Sequence, residues 1–365
     1  MDVHRREFLA LVAGAAALPV DPGMAQTIES ALEGKTVDWV VPFEVGGGTD
    51  VRSRFHVPWL KKYVKSRANF VVRNKPGAGS ISGVNLFYAN RTRGDEINML
   101  ATGGSTNIAM MMQPPTVKFN FLDMIPIAGF PVGSVWYASK DTGIKTVADL
   151  KRPTQALHYA GVSASGRDLS GLLALDLFGI DVQVTLGHTE GGAATLLTFE
   201  RGESNFDMQT TSVFRTRLVD RKDIVPLYTD GILDGHGDVI RDPAWPDLPS
   251  VREVYVTLHG KEPSGPEWDA YKIALGTRGA LNMVVWLHSD APKGMVDELT
   301  QAFRDMSADP EYQKGLADQT GGYPIIVGQE LLKPMVKQTF DIDPGVREWL
   351  YSWLERKYNV PRPNQ

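Results

Sequence analysis

Cysteine is absent from all 365 residues, which excludes disulfides, thiolate metal sites and a cysteine nucleophile without fixing a compartment. Neither sign of charge is in large excess. The 38 Lys and Arg against 43 Asp and Glu leave a net charge of -5, and no basic stripe interleaved with aromatics suggests nucleic acid. Past residue 25, no apolar run approaches the ~18 residues of a membrane span. Internal repeats and low-complexity tracts are missing, as are the G-x-G-x-x-G fingerprint of dinucleotide sites and the Gly-Lys-Ser/Thr of nucleoside triphosphate loops. What remains is an ordinary globular balance, 42% hydrophobic and 22% charged, in a chain long enough for two domains of roughly 100 to 200 residues each.

What is present starts with the first 25 residues. In MDVHRREFLALVAGAAALPVDPGMAQ, a basic start at Arg5 and Arg6 precedes an apolar stretch from Phe8 to Val20 and a small-residue site ending Gly23-Met24-Ala25. A short buried helix would show a polar face, and this stretch has none. Residues 1–25 therefore read as a signal peptide, with the mature chain soluble in the periplasm from about Gln26. Arg5-Arg6-Glu7-Phe8-Leu9 also resembles the twin-arginine export signal, which carries proteins already folded.

From Thr36 onward, short β-branched runs alternate with amphipathic helical segments, the signature of parallel α/β units. TVDWVV (36–41), NFVVRN (69–74) and INMLAT (97–102) read as strands, with helices from Asp50 to about Lys65 and from Ser80 to Asn90 between them. A second set runs through VGSVWYASK, ALHYAGV, a helix from Asp168 to Phe178, VQVTLG, a helix after Gly191, FDMQT and DIVPLYT. Leu169, Leu172 and Leu173 fall at i, i+3 and i+4, so that helix buries one face. MVVWLHS at 283 opens a mainly helical end, where Val296, Leu299, Phe303 and Met306 form an apolar stripe and Asp309-Pro310 marks a capped helix start. Residues 230–270, rich in Gly, Asp, Pro and His, read as an irregular insertion. The two sets predict one domain of residues 27–128 plus 282–365 and another of 129–281, with the chain crossing between them twice.

In VPFEVGGGTDVRSR (41–54), three glycines and Thr49-Asp50 stand between the first strand and its helix. Glycine is costly to order, so such a run means that backbone turns tightly or closely approaches something. A phosphate, a carboxylate and a bare turn are all open at this point. Unpaired amides at a helix start favour an anion, and ligands of open α/β sheets bind at this strand edge. Asp50 or Thr49 can cap the helix, and Arg54 stands at ion-pair spacing from Asp50. Comparable turns follow other strands: Gly103-Gly104-Ser105-Thr106-Asn107, Gly161-Val162-Ser163-Ala164-Ser165-Gly166 and His188-Thr189-Glu190-Gly191-Gly192. Four small, hydroxyl-rich turns at equivalent strand ends point to one cleft of neutral donors, suited to a dehydrated carboxylate.

VPFEVGGGTDVRSRF followed by VVRNKPGAGSISGVN, then LATGGST, HTEGGAATLLTFERGESNFDM and DAPKGMVDELTQAFRDMSADPEYQKGLADQTG, resembles the solute receptors of tripartite tricarboxylate transporters, the Bug family, over nearly all of the mature chain. The resemblance implies a type II periplasmic binding fold: two α/β domains joined by two crossovers, closing on a small organic carboxylate. It implies a monomeric receptor that delivers its ligand to the transporter's membrane subunits, without catalysis, cofactor, metal or nucleic acid. The implied contacts are Phe43, Glu44, Val45, Gly46, Gly47, Gly48, Thr49 and Asp50, mainly through main-chain groups. Gly104, Ser105, Thr106, Ser163, Ser165, Gly166, His188, Thr189, Gly191, Gln209 and Thr210 complete the pocket.

The sequence also departs from the family. Where its members commonly carry a Tyr-Lys-Gly-Gly type turn, this chain has His188-Thr189-Glu190-Gly191-Gly192, and the segment from about 230 to 280 is longer than the family pattern. Arg52 is an additional base beside Arg54, expected in solvent. Other readings are a periplasmic enzyme acting on a carboxylate through Ser163 or His188, and a sensory binding protein. Against the enzyme, GVSASG has Ser165 where a nucleophile elbow needs glycine, and no third metal ligand accompanies His188 and Glu190. Isolated His56 and His158 read as structural, and Met110-Met111-Met112 as core packing.

Overall fold

The computed structural model describes residues 32–46, 48–90, 97–188, 192–234 and 236–362. The expected signal segment, Gly47, and the turn residues Thr189, Glu190 and Gly191 lie outside them. Strands β1 (Thr36–Val41), β2 (Asn69–Asn74), β3 (Ile97–Ala101), β4 (Ile125–Phe130), β12 (Met283–Leu287) and β13 (Ile326–Val327) form one sheet in the order β13-β4-β12-β3-β1-β2. Strands β5 (Ser134–Ser139), β6 (Leu157–Ala160), β7 (Val182–Thr185), β8 (Phe206–Thr210) and β9 (Ile224–Thr229) form a second in the order β7-β6-β8-β5-β9. A short ribbon, β10 (Ile232–Leu233) with β11 (Val239–Ile240), stands apart.

Both sheets follow one plan. Three parallel strands come first, β2-β1-β3 in one and β7-β6-β8 in the other. Next to them lies a strand that enters from the other sheet's part of the chain, β12 or β5, antiparallel to both its neighbours. The sheets are therefore mixed, where the sequence pattern predicts parallel units. Apolar alternation and β-branching report that a segment is a strand, not which way it runs. β4 (IPIAGF) escapes that pattern because Pro126 and Gly129 are residues depleted in strands. Pro126 is accommodated opposite Trp286, next to a register shift at Val285/Trp286.

Helices cover the faces. In the first lobe, α1 (Gly48–Tyr63), α2 (Ile81–Ala89) and α3 (Gly104–Met112) follow β1, β2 and β3. In the second, α4 (Leu169–Phe178) and α5 (Gly192–Glu200) follow β6 and β7. Residues 230–270 are only partly the irregular insertion expected: up to Ser250 the described residues are turns and loop around the β10–β11 ribbon, but the rest is mainly helical. They hold α6 (Val251–His259) and begin α7 (Pro266–Arg278). From Ser250 onward, the polar and Gly-Pro residues that suggest irregularity are helix punctuation. Ser250 and Glu253 form a capping box, Gly260 ends α6 at φ +69°, and Pro266 starts α7. Val251, Val254, Trp268, Tyr271, Ala274 and Leu275 are buried in one cluster with Leu169, Leu172 and Leu173 of α4.

The chain continues as α8 (Lys293–Ala308), α9 (Pro310–Thr320), α10 (Gln329–Phe340) and α11 (Pro344–Tyr358). Asp309 caps α9 through the N–H groups of Glu311 and Tyr312, at 2.8 and 3.2 Å. The final helix does not stay with the first sheet, as an assignment of 282–365 to that domain requires. Leu350, Trp353 and Leu354 join the core of the second lobe, and Trp353 Nε1 donates to Asp176 Oδ2 at 2.6 Å. Two crossings join the lobes, near Pro131–Gly133 and Gly279–Leu281, and the Val132 N–H donates to Gly279 O at 3.2 Å. Beside them, Tyr323 O–H donates to Asp242 and meets Thr211 Oγ1 at 3.1 Å.

Candidate functional site

In a sheet ordered second-first-third, the loops leaving the first and third strands are neighbours, and a crevice opens between them. After β1 the backbone turns at Gly46, whose φ of +83° suits glycine. The Gly46 N–H donates to Asp50 Oδ2 at 2.9 Å, so the helix's first acidic residue reaches back and closes the turn. Asp50 is buried and also accepts from Arg54 Nε at 3.0 and 3.1 Å and from Asn74 Nδ2 at 3.0 Å. Asn74 in turn donates to Phe43 O at 3.0 Å. Burial alone would raise the Asp50 carboxyl, but the bonds from Arg54, Gly46 and Asn74 outweigh it and hold the group below its ordinary range. Asp50 is thus a clamp on the turn. Glu44, Val45, Gly46 and Gly48 are exposed at its tip, and Phe43 is half-buried.

The turn after β3 packs against this one. A Cβ on Gly103 would stand 2.9 Å from Phe43 Cζ and 3.0 Å from Thr49 Oγ1, which explains the glycine there. Gly104 begins α3, half-buried, and Ser105 is exposed. Thr106 is fully buried: its Oγ1 lies 2.8 Å from Ser80 Oγ and accepts from the Gly103 N–H at 3.3 Å. Ser80 ends a strained turn in which Gly77, Ala78, Gly79 and Ser80 all have positive φ, at 133°, 47°, 64° and 90°. Two non-glycine residues in that region are a recognised mark of functional sites. The sequence reading places Ser80 only at a helix start.

The second lobe repeats the clamp. Asp168, fully buried ahead of α4, accepts from the Val162 and Ser163 N–H groups at 2.6 and 2.8 Å, from Tyr159 O–H at 2.6 Å and from Arg167 Nη1 at 2.9 Å. The amides of Val162 and Ser163 therefore already have an acceptor. Ser163, Ser165 and Gly166 are half-buried along this loop. His188 is also half-buried, and its N–H donates to Gly161 O at 3.3 Å, which seats the start of its turn against the first. Gln209 does not line an open surface. It is buried, and its Nε2 donates to Gly192 O, Thr195 Oγ1 and Asp207 Oδ2 at 2.9, 3.0 and 2.9 Å, which fixes the start of α5. Thr210 is half-buried, 3.4 Å from Ser212 Oγ.

Cations occupy the seam between lobes, and this overturns the expectation of neutral donors alone. Arg52 is half-buried rather than free in solvent. Its Nε donates to Gly48 O at 3.2 Å and its Nη2 to Asn282 Oδ1 at 2.9 Å, while Nη1 is buried without a partner. Burial pulls this guanidinium down to about 10. Arg278, at the end of α7, stands over Gly104, with Cγ 3.8 Å from where a Cβ would be. Its Nη1 lies 3.4 Å from Ser170 Oγ at the start of α4, and its Nη2 is 3.9 Å from Met208 Sδ in β8. Arg167 Nη2 reaches the Met208 carbonyl at 2.9 Å. Only Arg52 has a sequence signal: it borders the buried stripe Thr49, Ser53, His56 and Leu60 of α1. A cavity of about 250 Å³ lined by Leu150, Lys151, Leu157, Asp181 and Gln183 lies at the opposite ends of β6 and β7, away from these loops.

No protein-family model matches the chain, and no curated protein matches it. Solved structures do. They include the periplasmic binding protein BugD, at 20% identity and TM-score 0.59 over 90% of this chain and 98% of that one. MatC from Rhodopseudomonas palustris with bound malate aligns at 18% identity and TM-score 0.59 over 87% and 99%. Rpa4515 of R. palustris with adipate aligns at 20% and 0.61 over 87% and 97%. At these identities the likeness is one of fold, and among the described residues no helix is long and apolar enough to cross a membrane. The chain has the two-domain α/β architecture of the type II periplasmic binding proteins.

Proposed function

We propose that this chain is an extracytoplasmic solute receptor of the Bug type, exported by its first 25 residues, which binds a small organic carboxylate between its lobes and hands it unchanged to tripartite transporter subunits. The observation that carries this reading is the place of Arg278, which ends α7 beside the start of α3 in one lobe and reaches α4 and β8 of the other. Its Cγ lies 3.8 Å from where a Cβ on Gly104 of the first lobe would stand, and its guanidinium reaches Ser170 and Met208 of the second. The malate and adipate held by fold neighbours support a small carboxylate as the ligand class. Two domains, one built on each sheet and hinged at the two crossings, would close around it.

A thermal-shift screen of mono-, di- and tricarboxylates tests the ligand class, since a ligand at 100 times its Kd stabilises by about 2.7 kcal/mol. Calorimetry on Gly48→Val then tests the glycine run. Gly48 is exposed and a Cβ there meets nothing within 4 Å, so the fold should keep its stability while binding weakens at least tenfold. Wild-type affinity in the folded variant would reduce the run to a turn. Chromatography after long incubation should return the ligand unaltered, and a converted product would replace the receptor by an enzyme.

A further inference from the structure

We infer that Arg52 and Arg278 set the charge of the ligand. Each lobe offers one guanidinium to one end of a dianion, so the chain selects molecules with two carboxylates over those with one. This rests on the receptor reading and adds to it two side chains and a charge rule.

Guanidinium groups keep their charge and, when buried, are almost always matched by a carboxylate or phosphate. Arg54 pairs with Asp50 and Arg167 with Asp168. Among the described residues, Arg52 and Arg278 pair with no acid, and their polar contacts are all neutral: Gly48 O and Asn282 Oδ1 for one, Ser170 Oγ and Met208 Sδ for the other. The buried, unpartnered Nη1 of Arg52 makes the mismatch acute. A charged donor shut away from both water and an acceptor is costly, and it is relieved in a state where the lobes part and an anion enters.

The placement divides the two charges. Arg52 belongs to the first lobe, one helical turn beyond the glycine run, with its Nε on Gly48 O. Arg278 lies across Gly104 and Asn282 from it and directs its guanidinium at the second lobe, towards Ser170 and Met208. A Cβ on Gly104 would lie 3.5 Å from Asn282 Nδ2 and 3.8 Å from Arg278 Cγ, and Asn282 is the residue that Arg52 bonds, so Asn282 and Gly104 stand between the two positions. A dianion across this gap neutralises both cations and ties the lobes together. A monoanion leaves one uncompensated.

Calorimetry on the mature chain with malate, succinate, glutarate and adipate, and with the monomethyl ester of each, tests the inference in wild type, Arg52→Gln, Arg278→Gln, Arg52→Lys and Arg278→Lys, with unfolding curves confirming the fold. At least one dicarboxylate should bind wild type tenfold or more tightly than its half-ester. Each Gln variant should lose at least tenfold in affinity for the diacid and much less for the half-ester, with partial recovery in the Lys variants. Equal affinities for diacid and half-ester, or folded Gln variants that bind as wild type does, would overturn the charge rule and leave the receptor reading standing. Failure of wild type to bind any of these acids while it binds a monocarboxylate would also overturn it. Failure to bind any carboxylate removes the receptor reading as well.

Discussion

His56 and Arg52 share a face of α1 one turn apart, and burial acts on each. His56 is fully buried, stacked on Phe130 at 4.3 Å, with Nδ1 3.3 Å from Tyr312 O–H. Burial, helped by the nearby Arg52 charge, lowers its imidazole to about 3. Since the unfolded imidazole titrates near 6.5, at pH values between these limits the unfolded chain holds a proton that the folded chain refuses. Acid therefore lowers stability through this window, by up to about 1.4 kcal/mol per pH unit. Urea denaturation at pH 7 and pH 5 should show His56→Gln losing about 2 kcal/mol less than wild type. Parallel losses would mean that His56 takes up its proton in the folded state. The structural reading of His56 was open to sequence reasoning, because it stands on the buried stripe of α1 with no second ligand beside it. Arg52 was not, since the stripe tells that an arginine stands at its border but not whether an acid waits there.

At the scale of elements, two carboxylates shape corresponding loops, one in each lobe. Asp50 holds one backbone N–H of a glycine-containing loop and Asp168 two, each with one arginine. They differ in solvent: the Arg54 side chain is 48% exposed and that of Arg167 is 17%. Loss of Asp50 lets Arg54 return to water, so Asp50→Ala should cost about 1 to 2 kcal/mol. Loss of Asp168 strands Arg167, Tyr159 O–H and two amides in the interior, so Asp168→Ala should cost about 3 to 5 kcal/mol. Urea midpoints at pH 7 decide this, and equal losses would show that solvent does not set the difference. The Asp50–Arg54 pair was legible from its i, i+4 spacing. The loop from Asp168 back to Val162 was not, because a buried aspartate ahead of a helix looks like an ordinary cap. Residues 230–270 show the same difficulty from the other side. From Ser250 on, their Gly and Pro mark ends of helices, and without the burial of Val251, Trp268 and Tyr271 that part also reads as loop.

At the scale of the molecule, two lobes of one plan are linked at Pro131–Gly133 and Gly279–Leu281, and α11 braces both. Tyr351 O–H donates to the Met112 carbonyl at the end of α3, while Trp353 and Lys357 hold Asp176 of α4. Closure on a ligand should lower the radius of gyration measured by small-angle scattering, by an amount that this brace limits. No compaction with a confirmed tight ligand would mean a preformed cleft. Gly133 sits where motion would be felt. A Cβ there would stand 1.9 Å from Tyr323 Oη and 2.4 Å from Asp242 Oδ2, so the crossing is packed tightly on the joint between Tyr323 and the second lobe.

Most of the strands and helices, the glycine turns at strand ends, the Asp50–Arg54 pair and the cap at Asp309 were determined by the sequence itself. Each depends on residues within a few positions of one another, where periodicity and turn chemistry act. Strand direction, the inward fate of Gln209 and the pairing of each arginine were decided only by tertiary structure. The Arg52 contact with Asn282 spans 230 positions, and that of Arg278 with Ser170 spans 108. Whether a charge has a counter-charge is a property of the space it folds into, and local spacing carries no record of that space.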